Sequence, residues 1–349
     1  MTNDSVRPAL DGTTIRPVRT GESEAEAALI VRAFAAGPYG HLPKGAERAA
    51  FEADTAGRAA DGAVLVAVDA EGGVVGTASV LRASSRYSRV ARPGEAEVRL
   101  ISVDPGAQGS GLGAALTRAS LEEALGWGAA ALVLDTGTRN LRAQALYERL
   151  GFERDAERDA AVGADVDSLA YRYPLQRRED VVVRLMRADE ADAVAELVES
   201  AYAADFELNP RYRADIVAVA ERARAHQVWV AADAATGELL GTATTPRAGA
   251  TMSPVAHAGE LDFRFLGVAP AARRRGIGET LVRHVLALAR LRGIDRVVLN
   301  TGPDMLGAQR LYDRLGFTRL HEREYRFVRP DGSGFQMLAY GRDAGVDAA

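Results

Sequence analysis

Two short stretches bring glycine together with residues that suit an anion. QGSGLG runs from Gln108 to Gly113 and RRRGIG from Arg273 to Gly278, each behind an apolar run, RLISVDP or RFLGVAP. A strand that passes through Gly-x-Gly into a helix leaves backbone N–H groups unpaired at the positive end of that helix. With no side chain at Gly111 and Gly113, or at Gly276 and Gly278, an anion can approach those amides closely. Gln108, Gly109, Ser110 and Leu112 complete the first turn. In the second, Ile277 is joined by Arg273, Arg274 and Arg275, whose guanidinium groups match phosphate oxygens. A lone turn of this kind reads more readily as a tight connection needing positive φ; two at equivalent places favour a bound pyrophosphate. Neither turn continues with the Lys-Ser/Thr of a nucleotide P-loop. Leu116 and Leu281 stand where a dinucleotide fingerprint needs its third glycine.

The turns belong to a duplication. Shifted by 165 residues, 99–152 aligns with 264–317 without a gap, and 24 of 54 positions are identical. A period this long describes two related domains and not a solenoid. Each half opens on a short strand, TTIRPVRTGE or VVVRLMRADE, followed by a helix over Ala25 to Phe34 or Ala191 to Tyr202. AVLVAVDAEGGVVGTASV and VWVAADAATGELLGTATT read as hairpins. The glycine turns lead into helices over Ala114 to Leu125 and Glu279 to Leu291, and AALVLDT and RVVLNT read as buried strands. ALYERLGF and RLYDRLGF are helices stopped at Gly151 and Gly316. SLAYRYPL and QMLAYGR close the halves as last strands. The boundaries are 13–175 and 181–343, with 176–180, inside PLQRRED, as linker.

Bulk composition excludes several classes. The 349 residues are 47% hydrophobic and 26% charged, as in globular proteins, and the net charge of −5 argues against nucleic-acid binding. No run of about 18 apolar residues occurs and MTNDSVRPAL has no apolar core, so the expectation is a cytoplasmic protein without a membrane span. There is no cysteine, hence no disulfide and no thiol nucleophile, and the five histidines lack metal-ligand spacing.

The order strand, V-x-P, [QR]-x-x-G-x-G, helix, strand and A-x-x-L-Y-x-x-L-G-F resembles the GNAT acetyltransferase superfamily, and it occurs twice. The tandem layout is similar to that of mycothiol synthases. The resemblance implies an α/β fold (α+β, mixed sheet): two tandem domains, each a central, mostly antiparallel twisted sheet flanked by helices. It implies acetyl-CoA as cofactor, its pyrophosphate on the amides of Gln108 to Gly113 or Arg273 to Gly278. Main-chain groups at a strand bulge around Ile101, Ser102 and Val103, or Leu266, Gly267 and Val268, would hold pantetheine and polarise the thioester carbonyl. Asn140 matches an asparagine that bonds the coenzyme arm, where the second copy has Met305. Tyr147 and Tyr312 match the tyrosine that protonates the departing thiolate.

Acetyl transfer to an amine also needs a proton acceptor. Glu97 and Asp262 occupy equivalent places on the strand before each turn, with Glu95 and Glu260 as a second matched pair. The expected activity is N-acetyl transfer to a primary amine of a small molecule or peptide by direct attack; the alternative is an acyl-CoA-binding sensor or scaffold without turnover. Each half can pair with the other or, as a homodimer, with a second chain. Acceptor choice falls to the segments that carry Tyr39, Tyr87, Phe206 and Glu207.

Overall fold

The computed structural model describes residues 7–8, 12–161, 168–205, 208, 210–328, 332 and 334–345, so Phe206 and Glu207 lie outside the described residues. The chain divides after Arg177 into two compact units.

In the N-terminal unit β1 (Arg7–Pro8) and β2 (Thr14–Pro17) precede helices α1 (Ser23–Ala35), α2 (Ala46–Ala53) and α3 (Thr55–Asp61). The hairpin of β3 (Gly62–Val68) and β4 (Val74–Arg82) follows, its turn tied by Asp69, whose carboxylate accepts the Gly73 amide at 2.6 Å. Then come β5 (Ala96–Val103), α4 (Leu112–Trp127), β6 (Ala131–Gly137), α5 (Leu141–Arg149), β7 (Glu153–Arg154) and β8 (Ser168–Pro174). The sheet runs β1-β2-β3-β4-β5-β6-β8-β7. Among the described residues of this unit only β5 and β6 pair in parallel, over Ala96↔Leu132 and Glu97↔Val133.

The short parallel ladder has a local cause. Leu100 sits at φ 55°, and Leu100 and Ile101 together face Ala78, a bulge on the β4 side. The bulge turns β5 away from β6, and from Val98 onward the two strands no longer pair.

The C-terminal unit repeats the plan. It comprises β9 (Val181–Leu185), α6 (Ala191–Ala203), α7 (Pro210–Val217), α8 (Val219–Ala225), β10 (His226–Asp233), β11 (Leu239–Pro246), β12 (Leu261–Asp262) and β13 (Arg264–Val268). After these come α9 (Ile277–Leu291), β14 (Arg296–Thr301), α10 (Leu306–Arg314), β15 (Thr318–Arg319), β16 (Tyr325–Val328) and β17 (Gly334–Asp343). Here the strand equivalent to β5 is broken in two. β12 pairs in parallel with β14 in the sheet β12-β14-β17-β15, while β13 edges the sheet β13-β11-β10-β9. Phe265, at φ 54°, takes the place of Leu100, and Phe265 and Leu266 face Ala243.

The helices after the turns begin at Leu112 and Ile277, two residues before the apolar period shows, because Gly111 and Gly276 cap them. Helices that the sequence pattern did not announce follow the segments carrying Tyr39 and Phe206: α2 and α3 in one unit, α7 and α8 in the other. Short polar-flanked stretches have too few periodic positions to announce a helix.

Packing is matched at the head of each unit. Arg16 grips Glu22 through two bonds of 2.8 and 2.6 Å, and Arg184 grips Glu190 at 2.7 and 2.6 Å. The N-terminal interior adds a charged pair, Arg58 and Glu26, both 0% exposed and joined at 2.8 Å. In the C-terminal core His284 lies against Trp229, ring centroids 4.3 Å apart, and burial pushes its imidazole down to about 3.

Two outcomes follow. Glu26→Gln leaves a buried guanidinium without its counterion and destabilises the N-terminal unit by about 3–5 kcal/mol, read as a fall in the denaturation midpoint. His284 is neutral when folded and takes a proton near its ordinary pKa of ~6.5 when unfolded. Its contribution is therefore complete above that pH and is lost as pH falls toward 3. Wild-type melting temperature should drop more steeply across this window than that of His284→Leu.

Candidate functional site

Each glycine turn starts a long helix. Gly111, at φ 89°, and Gly276, at φ 77°, are the N-caps of α4 and α9, and neither helix has a side-chain acceptor on its first amides. The left-handed backbone favours glycine, and the free amides of the following turn point outward. Leu112 and Ile277 bury their side chains, so only their amides face the turn. One residue before Ser110, Gly109 has φ 86°, whereas its counterpart Arg274 holds φ 64° with a full side chain. Left-handed backbone at a non-glycine residue costs on the order of 1–2 kcal/mol.

The three arginines divide their roles. Arg273 donates to both carboxylate oxygens of Asp205, at 2.9 and 2.8 Å, and to the carbonyl of Ala201. Arg275 reaches Asp233 at 3.3 Å. Arg274 is exposed and forms no ion pair among the described residues. Two of the three arginines thus have a carboxylate partner within the unit, both still partly exposed. A cation the sequence did not single out stands at the same turn, since Arg178 donates to the carbonyl of Arg275 at 2.7 Å. Its place in the polar stretch after Pro174 was the only signal available. In the first turn Gln108 and Ser110 are exposed, and the Ser110 hydroxyl donates to the carbonyl of Ala107 at 2.7 Å.

The bulge lies one residue before the expected segments. Leu100 and Ile101, or Phe265 and Leu266, form it, while Ser102 and Val103 pair again with Thr77 and Gly76, and Gly267 and Val268 with Thr242 and Gly241. The edge of β5 that turns from β6 carries main-chain groups without a strand partner, next to the glycine turn. Ser102 Oγ is buried there and has no hydrogen-bond partner.

Tyr147 and Tyr312 are 7% and 5% exposed. Their rings pack on Phe152 and Tyr171, and on Phe263, Phe317 and Tyr340. Burial pushes both phenols well above the usual tyrosine value, so they stay protonated, and neither hydroxyl meets a protein partner among the described residues. Asn140 caps α5, its carbonyl oxygen accepting the Ala143 amide at 3.4 Å; Met305 at the head of α10 has no such group.

The carboxylates are not the solvated edge charges that their spacing also allowed. Glu97 is 0% exposed, and Oε2 accepts the Ser88 hydroxyl and the amides of Arg89, Val90 and Ala91 at 2.6–3.2 Å. It anchors that loop through Oε2, while Oε1 is buried without a hydrogen-bond partner, 3.6 Å from Arg99 Nε. Asp262, also 0% exposed, holds the Met252 amide at 3.0 Å, and burial raises its pKa. Glu95 is bound by Arg158 and Glu260 by Arg323. Tyr39 accepts the Arg139 amide at 2.7 Å, and Tyr87 bonds Asp54.

The coenzyme fits this geometry: both turns offer free helix-start amides, and a strand with unpaired main chain runs beside each. The chain is similar to several known proteins. Over 149 residues the chain is 38% identical to a mycothiol acetyltransferase of Pseudarthrobacter chlorophenolicus, which covers 41% of this chain and 43% of that protein. The namesake from Salinispora tropica is 37% identical over 155 residues, covering 42% and 47%. The chain thus spans less than half the length of these relatives. A crystal structure of a GNAT-family acetyltransferase from Desulfovibrio desulfuricans, 21% identical, covers 47% of this chain and 99% of its own, with a TM-score of 0.38. Residues 30–152 and 191–317 each match the Acetyltransferase (GNAT) family, so the chain belongs to that family and carries its domain twice.

Proposed function

We propose that the chain transfers an acetyl group from acetyl-CoA to a primary amine of a small molecule or peptide, without a covalent enzyme intermediate. The observation that carries this reading is the repeated juxtaposition of an uncapped helix start, a bulged strand and a buried tyrosine with a free hydroxyl. Acetyl-CoA supplies the acetyl group as a thioester and a diphosphate for the turn. The amides of Gly111 to Gly113, with Gln108 to Ser110 around them, take that diphosphate in one unit. Gly276 to Gly278 do so in the other, helped by Arg274. Main-chain groups of Ile101 to Val103 and Leu266 to Val268 line the pantetheine arm, and an amide there faces the charge that develops on the carbonyl oxygen. Asn140 adds a side-chain contact in the N-terminal unit.

Tyr147 and Tyr312 hold a proton throughout the physiological range and give it to the departing thiolate. Asp262 takes the amine proton through water, burial having raised its affinity for one. Glu97 acts by fixing the 88–91 loop. The mycothiol acetyltransferases among the relatives make their acceptor one to test, and the protein works in the cytoplasm.

Incubation with acetyl-CoA and an amine panel, following free thiol, tests the activity; tight coenzyme binding with no thiol release over the panel would leave a non-catalytic binder. Tyr147→Phe and Tyr312→Phe together should lower turnover by about 100-fold or more while changing the coenzyme Kd less than about twofold. Arg274→Gly should weaken coenzyme binding several-fold at low salt and raise stability by about 1 kcal/mol, since it removes both the charge and the strained backbone. Calorimetry and melting on the same preparation separate the two effects.

A further inference from the structure

At one buried position the N-terminal unit keeps a complete ion pair and the C-terminal unit keeps only the cation. Glu26 on α1 receives the two terminal nitrogens of Arg58, at 3.0 and 2.8 Å, and the hydroxyls of Thr55 and Thr77 at 2.7 and 2.9 Å. Arg58 also donates to Ser79 Oγ at 2.5 Å and to the carbonyl of Glu52 at 3.0 Å. In the C-terminal unit Val194 stands where α1 has Glu26. The matching Arg16–Glu22 and Arg184–Glu190 pairs, just before the two 13-residue helices, fix that correspondence.

The arginine has stayed. Arg222 on α8 donates to the carbonyl of Ile216 at 3.1 Å, as Arg58 does to that of Glu52, and its second terminal nitrogen turns to the carbonyl of Asp215. It is 8% exposed, forms no ion pair among the described residues, and its Nε has no acceptor. Thr244, in place of Ser79, has a buried hydroxyl that is also without a partner. Across the strands Thr244 pairs with Arg264, a half-buried residue that likewise forms no ion pair among the described residues. Both guanidinium groups lie against the ring of Phe265, the bulge residue, at 4.0 and 5.0 Å. The acid at the end of the preceding strand β12, Asp262, accepts the amide of Met252.

Buried charges in proteins are paired, because an isolated one loses its hydration without replacement. The cost registers in this cluster. Burial, with Arg264 behind it, brings Arg222 down to about 10, and His226 is lowered by burial and by Arg222, Arg247 and Arg264. Burial raises Tyr202 as well, with Tyr212 and Tyr312 adding to the rise.

We propose that the C-terminal unit takes an acceptor bearing a carboxylate, held by Arg222, Arg264 and Thr244 beside Phe265, in the place that Glu26 fills in the N-terminal unit. The acceptor then brings the counterion that α6 lacks, and the N-terminal unit, whose counterion is built in, takes no such group. This inference rests on the reading of the C-terminal unit as an acyl-transfer site.

The test is a binding measurement on the full chain with coenzyme A present, using N-acetylglycine and its neutral carboxamide at constant ionic strength. The acid should bind at least about tenfold more tightly than the amide, a difference of about 1.4 kcal/mol. That preference should vanish in Arg222→Met and in Val194→Glu, whose new carboxylate occupies the anion's place. If Val194→Glu does not fold, Arg222→Met carries the test. Equal affinity for acid and amide, or a preference that survives Arg222→Met, would overturn the proposal. Thiol release from acetyl-CoA without any anion preference sinks this site alone, whereas anion preference without thiol release sinks the acyl-transfer reading and leaves the site standing.

Discussion

One residue turned into the left-handed region, Leu100 in the first unit and Phe265 in the second, parts two strands that would otherwise pair along their length. Neither is glycine, so the conformation is held against its own preference by the strands around it. Two further features depend on it. Beyond the bulge the edge of β5, and of β13, has main-chain groups with no strand partner. The chain then leaves the sheet at an angle that delivers it to the glycine turn and the start of a long helix. A flat, fully paired strand at this point would satisfy its own hydrogen bonds and offer nothing to a ligand.

The duplication shows how far that constraint can be kept while its surroundings drift. In one unit the bulge bends a single continuous strand; in the other the same bend is sharp enough that β12 and β13 fall into separate sheets. The parallel contact survives in both, at Ala96↔Leu132 with Glu97↔Val133 and at Leu261↔Val297 with Asp262↔Val298. Side chains around it have diverged more. Gly109 in one unit corresponds to a left-handed Arg274 in the other, the Asn140 cap to Met305, and Glu26 to Val194. The first difference gives the second glycine turn a positive charge, and the last leaves that interior position of the second unit without a carboxylate.

Burial also sorts the titratable groups. Tyr147 and Tyr312 keep their protons because a phenolate would lose its hydration among aromatic rings, while His284 stays neutral for the converse reason. Glu97 is held by four donors on one oxygen, and Asp262 by backbone amides that include that of Met252. Both carboxylates are thus anchored through the loop that precedes their strand.

The duplication, the order of strands and helices and the two glycine turns were legible in the chain, because they rest on short-range physics. Periodicity marks a face, glycine marks left-handed backbone, and identity at a fixed offset marks a repeat. Even there the helices α4 and α9 began earlier than their apolar period, since a cap is written in one residue and not in a repeating pattern. What the sequence left open depended on contacts between residues far apart. Asp205 and Asp233 claim Arg273 and Arg275, the 88–91 loop claims Glu97, and the loss of Glu26 from α6 strands Arg222 on α8. A charge's partner is set by distance through the folded interior, and no local pattern encodes that distance; only the tertiary structure decided which cations have a carboxylate beside them.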